Sequence, residues 1–546
     1  MPGAHPADGP YAYPLLIKQI LVTPLAHAAD QEIVYRDRCR HTYRDMVARI
    51  GRLGSALSRL GVGHGDTVAV ADWDTHRYLE SYFAIPMLGA VLMTVNVRLS
   101  PEQIAYTIDH SEAGTLLINT EFLPILDAIR ARLPKLKRIV LLADEPCDPA
   151  AAGAVGEYEA LLAAADPRHV FPDFDENTRA TTFYTTGTTG LPKGVFFSHR
   201  QLVLHTLGAL GGLAAAPSGQ NFHRGDVYMP ITPMFHVHAW GLPYVATLLG
   251  VKQVYPGRYV PDALLALRRS EGVSFSHCVP TILQMLLQAP ASAQTDLAGW
   301  KMVIGGSAFT AGLAAQAVAR GMDVFSGYGM SETCPVLTLA QLQPAELELP
   351  PEQTVPARCR TGLPLPLVDL RIVDGNMDDV AHDDHAQGEV VVRAPWLTQG
   401  YFNNPEASAQ LWEGGWLHTQ DIGRIASGGS LQITDRIKDV IKSGGEWISS
   451  LEIETLISRH PAVAEVAVLG VPDARWGERP LPVVVLKADA GAVSAEDIIA
   501  YLRTQAESGR ISRFAVPEQI RFVDSIDKTS VGKINKRQMR ERYAGG

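Results

Sequence analysis

A run of threonines and glycines, YTTGTTGLPKG at residues 184–194, has the composition of a site for phosphate chemistry. Backbone N–H groups freed by glycine can surround an anion, threonine hydroxyls add donors, and Lys193 adds a positive charge. This density of residue types favours a phosphate-binding loop over a flexible surface loop. The spacing does not fit G-x-x-x-x-G-K-[ST], because Pro192 stands at the second glycine position counted from Gly187. A P-loop kinase or GTPase is therefore disfavoured.

Three charged residues elsewhere suit the same chemistry, although each has an ordinary structural interpretation when taken alone. Lys533 stands in KTSVGKINK, and the basic residues that follow it are equally typical of a solvated tail. Asp421 in HTQDIGRI could cap a helix or occupy a turn, and Glu332 in GYGMSET could be a surface carboxylate. A lysine can neutralise charge that develops on a phosphate, and a carboxylate can hold Mg²⁺.

The segment MPITPMFHVHAW, residues 229–240, places two histidines and a tryptophan close together. A His-x-His pair can bind a metal, but no third ligand is obvious in the sequence, so a metal site here is disfavoured. From its residue type alone, Trp240 is compatible with an ordinary core position as well as with a binding site.

Composition narrows the class of protein. The chain of 546 residues is 46% hydrophobic and 19% charged, which is typical of a globular protein with a large core. Its net charge of −10 argues against nucleic acid as the main partner. Five scattered cysteines without a CxxC pair fit reduced thiols in the cytoplasm, and their spacing offers no zinc site. We find no secretory signal and no apolar run of about 18 residues, so we expect no membrane span.

Hydrophobic periodicity indicates the elements that must position these residues. Short apolar runs separated by amphipathic helical patterns predict βαβ units and parallel sheet. The predicted strands lie around residues 67–73, 90–96, 115–120, 138–144, 251–255, 273–279, 301–306 and 322–329. The predicted helices include residues 42–60, for which Thr42 is a candidate cap, residues 100–110, and a helix flanked by loop within residues 150–165.

The pattern changes after Asp421, where short strand-like runs precede the charged segment DRIKDVIKSGGEW at residues 435–447. Ser449 and Glu452 have capping-box spacing, which predicts a helix from about Ser450. Two apolar runs and a helix from about residue 495 to 506 follow. We predict an N-terminal domain over residues 1–436 and a small α+β domain over residues 437–546.

Five segments in this order resemble the adenylate-forming, or AMP-binding, superfamily of acyl-CoA synthetases, peptide-synthetase adenylation domains and luciferases. They are YTTGTTGLPKG (184–194), GYGMSET (327–333), HTQDIGRI (418–425), DRIKD (435–439) and KTSVGKINK (528–536). Five such segments in order, within a resemblance over about residues 30–540, are specific. Thr186 stands where many relatives have serine, and Asp527 where proline is frequent; neither departure threatens the assignment.

The resemblance implies the α/β fold of adenylate-forming enzymes: a large N-terminal domain of βαβ subdomains and a small mobile α+β C-terminal domain. It implies an ATP-dependent acyl-CoA synthetase that activates a carboxylic acid as an acyl-adenylate and transfers the acyl group to coenzyme A. Lys533 would be the catalytic lysine of the first half-reaction. Lys438 would be the hinge, and Lys442 would turn inward for the second half-reaction.

The resemblance also implies positions for the nucleotide and Mg²⁺. The nucleotide-binding residues would be Thr185, Thr186, Gly187, Thr188, Thr189, Gly190 and Lys193 of the phosphate loop, Gly305, Gly306, Ser307 and Ala308 of the adenine loop, and Gly327, Tyr328, Gly329 and Ser331. Glu332 would hold Mg²⁺ together with a loop hydroxyl, Thr188 or Thr185. Asp421 would bind the ribose hydroxyls with Arg436 near them, and Trp447 would lie near adenine. Arg475 is a candidate contact for CoA.

For the acyl group, the resemblance places His236 beside the carboxylate, with Trp240, Gly305 and Gly329 lining the site. A tryptophan four residues after this histidine, and Trp447 in GEWIS, resemble the fatty-acid branch and favour a medium- or long-chain acid. Methylmercaptopropionate-CoA ligases have a similar His-x-His-x-Trp segment, so a short thioether acid is an alternative.

Two other classes of function compete with acyl-CoA synthesis. One is a stand-alone adenylation enzyme that loads a carrier protein, and the other is a non-catalytic binding homologue. The second is disfavoured by intact Glu332, Asp421 and Lys533. We expect a carboxylic acid, ATP and CoA as partners, no nucleic acid, a homodimer, and a cytoplasmic location.

Overall fold

The computed structural model describes residues 10–185, 191–217, 219–443, 446–488, 490–508, 510–529 and 532–543, apart from the side chains of Glu446 and Trp447. Within these ranges, every helix is too short or too polar to cross a bilayer.

The strands carry most of the site residues and are numbered here in chain order. They are β1 (Glu32–Tyr35), β2 (Cys39–Thr42), β3 (Thr67–Ala71), β4 (Val91–Thr94), β5 (Ala113–Asn119), β6 (Arg138–Leu142), β7 (Gly156–Glu157), β8 (Arg179–Thr185), β9 (Lys193–Ser198), β10 (Val227–Pro230), β11 (Lys252–Tyr255), β12 (Phe275–Cys278), β13 (Lys301–Gly305), β14 (Asp323–Gly329), β15 (Val336–Leu339), β16 (Leu363–Pro364), β17 (Asp369–Val373), β18 (Gly388–Arg393), β19 (Leu417–Ile425), β20 (Leu431–Arg436), β21 (Ile441–Ser443), β22 (Glu446–Ile448), β23 (Val463–Asp473), β24 (Gly477–Leu486) and β25 (Arg521–Phe522).

The α-helices are numbered in the same way. They are α1 (Val22–His27), α2 (Tyr43–Arg59), α3 (His76–Met87), α4 (Pro101–His110), α5 (Leu123–Ile129), α6 (Tyr158–Ala163), α7 (His199–Ala214), α8 (Val237–Trp240), α9 (Leu242–Leu249), α10 (Pro261–Glu271), α11 (Pro280–Gln288), α12 (Ala311–Ala319), α13 (Pro344–Leu347), α14 (Val355–Arg358), α15 (Pro405–Leu411), α16 (Ser450–Ile457), α17 (Ala495–Glu507) and α18 (Lys536–Tyr543).

Two large sheets form the N-terminal domain. One has seven strands in the order β7-β6-β5-β3-β4-β8-β9, and the other has nine in the order β16-β15-β14-β13-β12-β10-β11-β1-β2. Their central strands are parallel, with antiparallel pairs toward the edges. The apolar runs predicted as strands are buried between helices in both sheets, which confirms the predicted βαβ pattern.

Two smaller sheets follow. Strands β17-β18-β19-β20 form an antiparallel sheet that carries Asp421 and Arg436. Strands β21 to β25 form the C-terminal sheet, with α16 and α17 packed against each other beside it. The predicted helix start is confirmed: α16 begins at Ser450, and the Ser449 side chain accepts a hydrogen bond from the Glu452 amide.

The structure confirms one further predicted cap and one further predicted helix. Thr42 caps α2 in a complete capping box with Asp45. The helix predicted within residues 150–165 is confined to α6, because the carboxylate of Glu157 accepts the amides of residues 159 and 160 and starts the helix there. Residues 156–157 instead pair with β6, and Gly153 interrupts the chain with a left-handed φ of 63°.

Candidate active site

The hairpin of β8 and β9 supports the threonine- and glycine-rich loop. Thr185 and Lys193 face each other at the end of the antiparallel register, so the two ends of the loop are fixed by β8 and β9. The other predicted loop ligands, Thr186, Gly187, Thr188, Thr189 and Gly190, lie outside the described residues. Lys193 Nζ lies 4.7 Å from the centroid of the Tyr401 ring, a cation–π distance that holds the ammonium beside the hairpin.

Tyr401 connects this hairpin to Glu332. Glu332 lies in a short 3₁₀ turn, Ser331–Thr333, that follows β14, and it is 7% exposed. The Tyr401 hydroxyl donates to Glu332 Oε1 at 2.8 Å, and the Glu332 carbonyl accepts the Thr398 amide at 3.0 Å. A buried carboxylate fixed in this way is an oxygen ligand of the kind that Mg²⁺ prefers, so Glu332 fits the predicted metal role.

Asp421 is the centre of a second polar cluster. The Tyr328 hydroxyl donates to Asp421 Oδ2 at 2.7 Å, and Arg436 Nε donates to Oδ1 at 3.2 Å. The antiparallel register of β19 and β20 puts Asp421 opposite Arg436, while Tyr328 comes from β14 in the large sheet. Burial and the charge of Asp421 raise the pKa of Tyr328, so its hydroxyl stays protonated and remains a donor.

Glycines allow β13 and β14 to lie close to each other and allow the end of β14 to lie close to the segment that follows it. Gly305 and Gly327 are register partners, and a Cβ on Gly305 would lie 2.6 Å from the Gly327 carbonyl oxygen. A Cβ on Gly329 would lie 1.7 Å from the Pro335 carbonyl oxygen. Neither position tolerates a side chain without backbone movement. Ser307 and Ala308 follow β13 on an exposed turn, as a loop that faces a ligand requires.

Lys533 enters this site from the C-terminal domain. Its Cε lies 3.1 Å from where a Cβ on Gly306 would stand, and Gly306 has a φ of +81°. The turn that presents Lys533 is closed by hydrogen bonds in both directions with Thr529, and the Thr281 hydroxyl of α11 donates to the Gly532 carbonyl at 3.1 Å. The chain therefore docks Lys533 against the predicted adenine loop.

The pKa of Lys533 reflects the charges around it. Burial, then the positive charge of Arg436, lower this pKa to about 8, while the negative charges of Asp421 and Glu332 oppose the shift. The charges that act on Lys533 therefore come from two other parts of the sequence, since Asp421 and Arg436 are partners on neighbouring strands. An ammonium in such surroundings gains from an added polyanion, because phosphate oxygens replace the hydration that it has lost.

His236 precedes an unusual turn. Residues 237–240 all have left-handed φ values between 47° and 60°, which costs L-residues about 1–2 kcal/mol each. The turn packs Trp240 against Gly305 and places its ring 5.1 Å from that of His277. Burial, then the charges of Lys533 and Arg98, lower the pKa of His236 to about 3, so this imidazole is neutral near pH 7.

The residues predicted for the hinge and for the second half-reaction lie in the C-terminal sheet and in the segments next to it. Lys442 is exposed on β21 of the C-terminal sheet, where its amide donates to Glu478 Oε2 at 2.9 Å. Trp447 is its register partner on β22. Lys438 is exposed just after β20, and the Arg475 guanidinium lies 4.6 Å from the Trp476 ring. In this orientation Lys533, not Lys442, is the lysine that contacts the adenine loop.

Two supporting residues were missed in the sequence analysis. Tyr401 carries no signal in a single sequence, since nothing marks its hydroxyl as a partner of Glu332. Asp74 accepts the Met234 amide at 2.9 Å and a hydrogen bond from the Tyr259 hydroxyl, and so holds the segment before His236. An aspartate just after a buried parallel strand, here β3, is a position where functional side chains gather and could have been noted.

Comparison with known proteins agrees with this geometry. Residues 23–402 match the family described as AMP-binding enzyme, and residues 452–533 match the AMP-binding enzyme C-terminal domain. A long-chain-fatty-acid–CoA ligase of Thermus thermophilus is 41% identical over 92% of this chain and 90% of its own length. A 3-methylmercaptopropionyl-CoA ligase of Ruegeria lacuscaerulensis is 36% identical over 97% of both chains. A solved anthranilate CoA ligase in complex with anthranoyl-AMP superposes with a TM-score of 0.84, at 25% identity over 98% of both chains.

Proposed function

This chain belongs to the AMP-binding enzyme family and is an ATP-dependent acid–thiol ligase, and we propose that it converts an aliphatic carboxylic acid of medium or long chain into its CoA thioester. The observation that carries the proposal is the meeting of Lys533 with the Asp421 cluster and Glu332 at the glycine-rich ends of β13 and β14. A lysine from a separate domain, a ribose-type carboxylate and a metal-type carboxylate suit one bound nucleoside triphosphate.

The nucleotide would be held by groups that are already oriented. Asp421 accepts from Tyr328 and Arg436 and is 5% exposed, so both of its oxygens are fixed. A fixed carboxylate binds a pair of ribose hydroxyls without paying to order itself on binding. The glycines at positions 305 and 306 allow a flat ring to approach the backbone.

The first half-reaction joins a carboxylate to the α-phosphorus of ATP, with pyrophosphate as the leaving group. Both reactants are anionic, so Lys533 would neutralise charge where they meet. Glu332, held by Tyr401, and a loop hydroxyl of Thr185 or Thr188 would hold Mg²⁺, which supplies positive charge to the leaving phosphates. Neutral His236 carries one ring N–H, which can donate a hydrogen bond to the acyl carboxylate.

An aliphatic acid is favoured by the surroundings of Trp240. The indole packs on Gly305 and His277, and the preceding histidines are neutral or enclosed by aromatic rings. Such walls bind hydrocarbon and offer little to a second charged group. The fatty-acid ligase relatives support the same assignment.

In the second half-reaction, the thiol of CoA would replace AMP on the acyl carbon. We propose that the domain over residues 437–546 rotates about Lys438 after adenylation, which removes Lys533 from the site and brings Lys442 inward. The support is the position of the two lysines: Lys533 lies against Gly306, whereas Lys442 is exposed on β21 with its amide bound to Glu478.

A turnover panel tests the proposed substrate. Acids from C2 to C18, with 3-methylthiopropionate included, are assayed for AMP and acyl-CoA formation under identical ATP and CoA concentrations. We expect the highest kcat/KM for a medium or long chain, with neighbouring homologues separated by about 1–3 kcal/mol per methylene at most. A maximum at methylthiopropionate would replace the fatty acid by a short thioether acid.

A second readout separates the ligase from an adenylation enzyme that loads a carrier protein. Pyrophosphate exchange without any CoA-dependent AMP release, for every acid in the panel, would contradict thioester formation and favour the carrier-loading alternative.

A further inference from the structure

A cluster of metal-ligand side chains lies where the two large sheets approach each other, and it shares no residue with the proposed active site. Cys39 and His41 stand two residues apart on the edge strand β2, so both point to the same face. His76 is the first residue of α3, which follows β3 of the other sheet. One ligand atom from each of the three residues lies within 4.8 Å of the other two.

The ring of His76 is oriented as a metal-binding histidine would be. Its Nε2 lies 3.3 Å from Glu159 Oε1, while its Nδ1 has no hydrogen-bond partner although the residue is only 5% exposed. A buried polar atom without a partner is costly, and its presence requires an explanation. If Nε2 carries the proton toward Glu159, Nδ1 presents a lone pair. This carboxylate–histidine arrangement is the usual support of a metal-bound imidazole.

We propose that Cys39, His41 and His76 bind one Zn²⁺ ion, with Nδ1 of His76 as a ligand and a solvent molecule in the fourth position. A thiolate and two imidazoles form a ligand set that suits zinc, and three protein ligands leave one tetrahedral position open. Cys39 and His41 are partly exposed, which gives both the ion and the solvent ligand access.

The charges around the cluster agree with a bound cation. Arg49 forms ion pairs with Glu80 at 2.6 Å and with Glu159 at 2.8 Å, so two carboxylates share one guanidinium. One guanidinium and two carboxylates leave one negative charge uncompensated. This charge matches the net charge of +1 on Zn²⁺ bound to one thiolate.

Sequence spacing cannot show this site, because two of its ligands lie on β2 of one sheet and the third lies on α3, which follows a strand of the other sheet. The expectation that the cysteines offer no zinc site rested on the absence of a CxxC pair and did not consider histidines from other elements. A zinc ion would link β2 to the start of α3 and should therefore stabilise the packing of the two sheets.

Cobalt provides a test that does not depend on enzyme activity. The purified full-length chain is freed of metal with a chelator and titrated with Co²⁺, which gives a thiolate-to-cobalt charge-transfer band in the near ultraviolet. We expect the band to saturate at one equivalent and to disappear when Zn²⁺ is added. Cys39→Ser should abolish the band, whereas the matched control Cys147→Ser, at an exposed cysteine, should retain it in full.

Two further variants keep the test independent of folding defects. His41→Gln should weaken Zn²⁺ binding in a competition assay, and Glu159→Gln should weaken it by about 10–100-fold, as loss of a supporting carboxylate does. Zn²⁺ should raise the Tm of the wild-type chain but not that of Cys39→Ser. The site would be refuted if the wild-type chain gave no charge-transfer band, or if Cys39→Ser gave the same band as wild type.

Discussion

We propose that the first half-reaction depends most on Lys533, because its charge is the one that the protein brings from a different domain. Its ammonium has lost much of its hydration, and its pKa is lowered to about 8 by burial and by Arg436. The negative charges of Asp421 and Glu332 raise this pKa and so offset part of the decrease. A triphosphate would supply further negative charge, so these positive groups suit an anionic substrate.

Replacement of Lys533 by alanine should separate the two half-reactions. We expect adenylation to fall by ~10²–10³-fold or more, about 2.7–4 kcal/mol, because a charge-stabilising group has been removed. Conversion of preformed acyl-adenylate to thioester should persist. The control is Lys528→Ala, which removes an ion pair with Glu465 in the same segment and should leave both rates near wild type. Equal loss of both half-reactions in Lys533→Ala would argue against the separate roles.

The pH dependence of adenylation should also report Lys533. The charged form is the active one, so kcat/KM for pyrophosphate exchange should fall as pH rises through about 8, where the ammonium loses its proton. Lys533→Arg retains its charge at these pH values, so whatever activity it has should not decline there. A decline at the same pH in Lys533→Arg would mean that another group titrates.

Tyr401 is a positioning residue for Glu332. In Tyr401→Phe the ring under Lys193 remains and the hydroxyl that donates to Glu332 is lost. A hydrogen bond to a charged group contributes about 1.5–3 kcal/mol. We therefore expect a higher Mg²⁺ concentration for half-maximal adenylation, with little change in KM for the acid. Tyr401→Leu removes the ring as well and should add a loss of ATP affinity; an unchanged Mg²⁺ dependence in both variants would contradict this role.

The shape of the site depends on close contacts between the secondary-structure elements that form it. The left-handed turn at residues 237–240 is stable only because the surrounding structure fixes it: the Thr94 hydroxyl and Asp74 hold the residues just before it. Strained turns of this kind concentrate at functional sites. Here the turn delivers Trp240 to Gly305 at the end of β13.

Helix α12 makes a comparable close contact with the C-terminal domain. A Cβ on Gly312 would lie 2.6 Å from the Ser458 carbonyl oxygen, which follows α16. Gly312→Ala should push the two domains apart in the orientation that inserts Lys533. Because overpacking costs about 1–3 kcal/mol, we expect adenylation to slow by about ten-fold and thioester formation from acyl-adenylate to change less.

Gly211→Ala in α7 is a matched control, since its added Cβ would meet Pro366 Cγ at an ordinary 3.4 Å. Both half-reactions should be unaffected in this variant. If Gly312→Ala slowed the two half-reactions equally, the contact with Ser458 would not be specific to the adenylation orientation.

The whole molecule has a large N-terminal domain and a small C-terminal domain, and we propose that the large domain holds the nucleotide while the small one carries Lys533 and Lys442. Among the described residues, the polar contacts between the two domains include Thr281 with Gly532, Gln284 with Ala464, Arg424 with Glu452, Ser449 with the Thr434 carbonyl, and the Ser450 amide with Asp435. Such contacts break and re-form at modest cost, which is what a rotation about a hinge near Lys438 requires.

Lys442→Ala tests this rotation. We expect thioester formation to fall by at least about ten-fold while adenylation stays within a few-fold of wild type, since a charged hydrogen bond is lost only in the second step. Lys487→Ala, on an exposed lysine of the same domain, should affect neither step. Greater loss of adenylation than of thioester formation would rule out the inward movement of Lys442.

Several elements were predictable because their signals are local. The capping box at Thr42 and the cap at Ser449 start α2 and α16 as the residue types require. The buried parallel strands follow from short apolar runs, and the order of the five segments is enough to indicate the family. The helix expected within residues 150–165 is confirmed as α6, and the carboxylate of Glu157 sets its start.

By itself, the sequence determined which residue types are present, the periodicity of each element and the order of the chemical segments. Only the tertiary structure decided which of these groups meet: Lys533 on Gly306, Tyr401 on Glu332, and Cys39 beside His76. The physical reason is that periodicities of 2 and 3.6 residues specify which face of an element is buried. They do not specify which distant element covers that face, since that depends on how all the buried surfaces pack together.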